Sequence, residues 1–153
     1  MDDDIDSKLL EGKHLLAIDY GKKFTGFATY KYRVDPFPLG YGRVAFESNE
    51  QLILEIKNII DNEFIDIVII GVPFFTDGKE SSMTKEIKLF ASTAEKKLPN
   101  IKVYTIDETL TTYEAEQRML QDPKYNFKVD LKKIDELSAV IILEQFLKNS
   151  SNS

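Results

Sequence analysis

The run His14-Leu15-Leu16-Ala17-Ile18-Asp19 decides the fold. A mostly apolar segment closed by a carboxylate predicts a central strand, buried against neighbours and ending at a charged edge. Tyr20 to Lys23 can turn the chain. Thr25 to Tyr32 then reads as a second strand and Leu39 to Phe46 as a third, after Asp35-Pro36-Phe37-Pro38.

Ser48, followed three residues later by Gln51, has the pattern of a helix capping box. The helix it opens places Leu52, Ile56, Ile59, Ile60 and Phe64 on one face. Ile65 to Ile70 predicts another buried strand, stopped by Gly71-Val72-Pro73. A helix over 82–97 carries Met83, Ile87, Phe90, Ala94 and the following Leu98 at helical spacing. Ile101 to Ile106 is the fifth strand, ending at Asp107-Glu108. Thr111 with Glu114 predicts a second capping box and a short helix to Leu120, broken by Asp122-Pro123. A last helix, Leu131 to Leu147, is apolar nearly all round and should be deeply packed.

Three early strands joined by short turns imply antiparallel pairing, whereas the later alternation of strand and helix implies parallel crossovers. The expectation is an α/β, RNase H-like domain: a five-stranded mixed sheet with helices on both faces. It occupies residues 13–148, between an acidic flexible tail (1–12) and a disordered C-terminal tail (149–153).

With 153 residues the chain has room for one substantial core. It has no cysteine, which excludes disulfides, thiolate zinc sites and cysteine nucleophiles, and His14 is its only histidine. No run is long and apolar enough to span a bilayer, and the acidic Met1 to Asp6 is unlike a signal peptide. A cytoplasmic protein without membrane contact is expected. The net charge of −6 stands against a nucleic-acid partner. Setting aside Asp2, Asp3, Asp4 and Asp6 leaves 20 basic against 22 acidic residues, and four of the latter form the candidate site.

Those four are Asp19 at the end of the first strand, Asp107 and Glu108 at the end of the fifth, and Asp135 in the first turn of the last helix. Asp135 heads a stripe through Ala139, Ile142 and Phe146, so it points toward the sheet. Each has a plain alternative: a turn for Asp19, helix-dipole complementation for Asp135. Asp107 and Glu108 are adjacent in extended chain and should point to opposite sides. Glu108 has the longer reach, leaving Asp107 to tie down the turn or to act through a neighbour. An all-oxygen donor set suits Mg²⁺ or Mn²⁺, which favour displacement at phosphorus.

Four blocks carry a resemblance. LLAIDYGKKFTGFA (15–28), IVIIGVPFFTDG (67–78), VYTIDETLTTYEAE (103–116) and KIDELSAVIILEQFL (133–147) resemble, in order, the motifs of the YqgF family, also called RuvX. These are Holliday-junction resolvases and pre-16S rRNA nucleases. The resemblance implies that Asp19, Glu108 and Asp135 are catalytic metal ligands, with Asp107 beside them. Gly21 and Gly26 match the family's hairpin glycines, where a phosphate backbone could come close. Thr111 and Thr112 match its threonines, with helix capping as the alternative.

The chain departs from the pattern at Phe24 and Thr109, where the family usually carries arginine. Lys22, Lys23, Lys79, Lys85 and Arg118 could compensate for that loss, or could simply be solvated surface. The related RuvC-type resolvases also have a glutamate at the strand that here ends in Gly71-Val72-Pro73. The reading is a metal-dependent nuclease acting on structured RNA or branched DNA, as a monomer or a homodimer. Its rivals are a non-catalytic RNA- or ribosome-associated factor on the same fold and, less well matched in length, a sugar-kinase-like ATPase.

Overall fold

In the computed structural model, which describes residues 6–150, β1 (His14–Asp19) is the middle strand of five. The Tyr20–Lys23 turn is too short for a crossover, so β2 (Phe24–Lys31) folds back antiparallel to β1, and β3 (Leu39–Ala45) pairs antiparallel outside it. Helix α1 (Asn49–Glu63) carries the chain over to β4 (Ile67–Val72), parallel to β1 on its other side. Helix α2 (Ser82–Lys97) leads to β5 (Lys102–Asp107), parallel to β4. The order β3-β2-β1-β4-β5 is the expected mixed sheet.

Side chains alternate across the sheet. Leu16, Ile18, Val68 and Ile70 pack against Leu52, Ile56, Ile87 and Phe90 of α1 and α2. Leu15, Ala17, Ile67 and Ile69 face the opposite way, against Ala139, Ile142, Leu143 and Phe146 of α4 (Ile134–Asn149). Asp19, two residues beyond Ala17, therefore points to the α4 side. Helix α3 (Thr111–Leu120) lies alongside α4, joined to it by the Arg118–Glu144 ion pair. Among the described residues no helix is long and apolar enough to cross a membrane.

Several local expectations give way to tertiary structure. Phe64 does not join the apolar face of α1. It closes that helix in the left-handed conformation (φ 56°), and the residue is 82% exposed. The Thr111–Glu114 capping box does not form. Leu110 makes the turn at φ 70°, Thr111 is already helical, and its hydroxyl donates to the Glu108 carbonyl at 2.7 Å. The reciprocal box belongs instead to α2, between Ser81 and Thr84. At α1, Ser48 accepts from the Gln51 N–H at 3.1 Å, but the Gln51 side chain turns to Glu55.

The expected N-terminal tail is also partly structured. Ser7–Leu10 form a 3₁₀ turn capped by Asp6, and Leu10 is fully buried in the α4-side core. Residues 1–5, with Asp2, Asp3 and Asp4, lie outside the described residues. At the other end α4 continues through Asn149, and the Ser150 hydroxyl donates to the Leu147 carbonyl at 2.6 Å. Residues 151–153 of the expected disordered tail lie outside the described residues too.

Candidate active site

Asp19 stands where β1 ends, and a glycine on each neighbouring strand decides what can approach it. On the antiparallel side it pairs with Gly26 of β2. A Cβ at Gly26 would overlap the Asp135 carbonyl and come within 2.9 Å of the Glu136 nitrogen. The absence of that atom lets the first turn of α4 settle onto the sheet beside Asp19. On the parallel side, Gly71 follows the Ile18–Ile70 pair. A Cβ there would lie 2.7 Å from Glu108 Cγ and 2.6 Å from Ile142 Cδ1. The side chain of Glu108 therefore crosses over bare backbone.

Sequence reasoning expects Gly26 to admit a phosphate; its actual tenant is the backbone of α4. Gly71, absent from the expected site, shapes it as strongly. Gly21 is likewise filled by its own turn, since a Cβ would overlap the Phe24 carbonyl.

The alternation at the end of β5 separates the two adjacent acids. Glu108 continues the ladder by donating its N–H to the Val72 carbonyl at 3.0 Å, and its side chain is buried. Asp107 points to solvent and binds its own turn, accepting from the Thr109 N–H at 2.9 Å and the Thr109 hydroxyl at 2.6 Å. Thr109 thus fastens a turn.

Burial pushes the Asp19 carboxyl well above the usual carboxylate range, and the charges of Glu108 and Asp135 push it further. Glu108 rises to about 7, chiefly through burial; the Thr111 hydroxyl works against the rise and Asp107 adds to it. Two carboxyls that resist ionisation at neutral pH, with a third acid beside them, form a site short of positive charge. Among the described residues no three such groups already stand together as a complete cation site. Asp135 is engaged elsewhere, with Arg43 Nη1 3.3 Å from its Oδ2. The donor chemistry still fits a hard divalent cation: Asp19 and Glu108 could hold it, with Asp135 joining once freed from Arg43.

Arg43, on β3, is the residue sequence reasoning misses. Its strand register sets it opposite Gly26. Its guanidinium covers the Phe24 ring at 3.6 Å from the centroid, so the position that departs from the family pattern carries an arginine from another strand. Lys22 and Lys23 are exposed and line the same cleft; Lys22 lies 3.8 Å from Glu86. Thr112 is exposed in the first turn of α3. Lys79 is exposed in a turn closed by the Phe75–Lys79 backbone bond. Arg118 is clamped by Glu114 at 2.7 Å and by Glu144 at 2.6 and 3.1 Å, so its charge is already matched. His14 is structural, its Nδ1–H donating to the Glu63 carbonyl.

A five-stranded mixed sheet in the order β3-β2-β1-β4-β5, covered by helices, is the RNase H-like fold. The chain belongs to the RuvX family, described as Holliday junction resolvase, whose profile matches residues 13–149. It is 31% identical over 142 residues to the "Putative pre-16S rRNA nuclease" of Chlorobium phaeobacteroides, covering 92% of this chain and 96% of that protein. The protein of the same name from a Sulfurihydrogenibium species is 33% identical over 141 residues, covering 91% and 92%. Among solved structures, Thermus thermophilus RuvC in complex with a Holliday junction substrate superposes with a TM-score of 0.56 at 12% identity. That match covers 89% of this chain and 95% of RuvC. Family membership places the chain among hydrolases acting on nucleic acid.

Proposed function

We propose that this chain is a cytoplasmic, divalent-metal-dependent endonuclease that hydrolyses phosphodiester bonds in structured nucleic acid, with maturation of pre-16S rRNA as its role. One observation carries the reading: glycines flanking Asp19 admit Glu108 from one side and the Asp135 turn from the other. The three acids raise the electrostatic cost of the site without cation. A protein gains nothing in stability from such an arrangement, which supports a functional reason for it.

When bound, Mg²⁺ or Mn²⁺ supplies the positive charge that stabilises oxygens developing negative charge during in-line displacement at phosphorus. Asp19 and Glu108 would hold that charge at the end of β1. Asp135, carried on the first turn of α4, would complete the donor set once released from Arg43. Asp107 holds the turn that aims Glu108. The names of the relatives favour RNA as substrate. On RNA one site suffices for a cut, whereas symmetric cleavage of a four-way junction requires two copies of the chain.

The pairing of Asp135 with Arg43 favours a second reading, a non-catalytic nucleic-acid-binding factor on the same fold. An assay offering a pre-16S rRNA fragment and a four-way DNA junction, each with Mn²⁺ and with EDTA, tests both. Mn²⁺-dependent cleavage of the RNA by wild type and none by Asp135→Asn is the expected result. Cleavage of the junction alone replaces the substrate, and cleavage of neither leaves the binding factor.

A further inference from the structure

We propose that Arg43 is the residue through which this site grips the substrate's phosphate backbone, and that its pairing with Asp135 is a resting arrangement it leaves when phosphate arrives. The inference rests on the nucleic-acid reading above.

The guanidinium is held from one face. Its plane is seated on the Phe24 ring, which fixes its orientation without consuming its N–H groups. Only Nη1 has hydrogen-bond partners among the described residues: the Leu131 carbonyl at 3.2 Å and Asp135 Oδ2 at 3.3 Å. Both are long for charge-assisted bonds, which run to roughly 2.7–2.9 Å. Arg118 shows the contrast, meeting Glu144 through two nitrogens at 2.6 and 3.1 Å. Arg43 is oriented but not saturated, and a phosphodiester's two free oxygens match the fork it has left open.

Its setting points the same way. Arg43 lines a cleft of about 500 Å³ together with Lys22, Lys23 and Lys132, so four cations surround a space whose carboxylate is Asp135. Of the candidate site's acids, Asp135 borders this cleft, so a phosphate there meets the site through Asp135. A divalent cation and Arg43 both attract Asp135. A cation bound by Asp135 would therefore compete with Arg43 for it and leave the guanidinium free to pair with phosphate.

Fluorescence anisotropy of a labelled RNA hairpin and a labelled four-way DNA junction, in EDTA and over a salt series, tests this. Arg43→Ala is expected to weaken binding about tenfold and to lower the slope of log affinity against log salt by about one. Arg43→Lys keeps the slope but not the full affinity. Asp135→Asn, which frees the guanidinium, tightens binding several-fold in the presence of Arg43 and not in Arg43→Ala. Circular dichroism checks the fold of each variant, and Arg43→Gln replaces Arg43→Ala if the latter unfolds. Unchanged affinity and salt slope on losing Arg43, or an equal effect of Asp135→Asn in both backgrounds, overturns the proposal and leaves Arg43 as a clasp between β3 and α4. Absence of binding by wild type overturns it as well. Cleavage by wild type with Mn²⁺ is scored separately, so the nuclease reading and this one can fail independently.

Discussion

Asp19 and Gly26 face each other across the β1–β2 pair, and the backbone of Asp135 rests where a Gly26 side chain would be. The distance between two acids remote in sequence is therefore set by one missing methyl group. Gly26→Ala must displace the first turn of α4, because its Cβ meets backbone atoms and not the end of a flexible side chain. The expected cost is about 3 kcal/mol in urea unfolding, the upper range for overpacking a core, together with loss of cleavage. A loss below about 0.5 kcal/mol would show that α4 is not seated there.

Asp19→Asn should separate activity from stability. It removes a carboxyl whose ionisation burial and two neighbouring acids oppose. Cleavage should fall by more than about 100-fold, while the metal-free protein at pH 8 should melt at a higher temperature than wild type. A variant equally inactive but less stable would argue that Asp19 serves the fold.

The adjacent acids should behave differently. Asp107→Ala loses the two bonds to Thr109, at a cost of about 1 kcal/mol, and should retain cleavage within a few-fold. Glu108→Gln should abolish it. Equal loss in both variants would contradict the division of roles drawn from the burial of Glu108 and the exposure of Asp107.

The pH dependence of the metal-free protein follows from the same groups. Asp19 and Glu108 titrate higher when folded than their ordinary values of 3.8 and 4.5. Their contribution to stability is full below those values and is lost as pH rises through the folded ones, for Glu108 about 7. Melting temperature without metal should fall as pH rises from about 4.5 toward 7 and above. Asp19→Asn and Glu108→Gln should each flatten the fall, and Mn²⁺ should oppose it. A melting temperature that climbs across that window would contradict the site's electrostatics.

Much of this was legible in the sequence because it rests on short-range rules. The apolar run ending in Asp19, the strand–helix alternation and the stripe below Asp135 each follow from periodicity. The split between Asp107 and Glu108 follows from the alternation of extended chain. What the sequence could not supply depends on register between distant strands. Nothing near Arg43 marks it as part of a site; only the pairing of β2 with β3 sets it opposite Gly26 and over Phe24. Gly71 is similarly opaque, since its purpose is the room it leaves for Glu108 and Ile142. Local capping patterns were the least secure guide, as Thr111 shows. Its hydroxyl turned back to the Glu108 carbonyl once Leu110 had made the turn.

Calorimetric titration of the full chain with Mn²⁺ at pH 7.5 reads directly whether Asp19, Glu108 and Asp135 jointly hold a divalent cation. Saturable binding by wild type is predicted, abolished in Asp19→Asn and Glu108→Gln, weakened in Asp135→Asn and preserved in Asp107→Asn. Binding that persists unchanged in Asp19→Asn, or no binding by wild type, would contradict it.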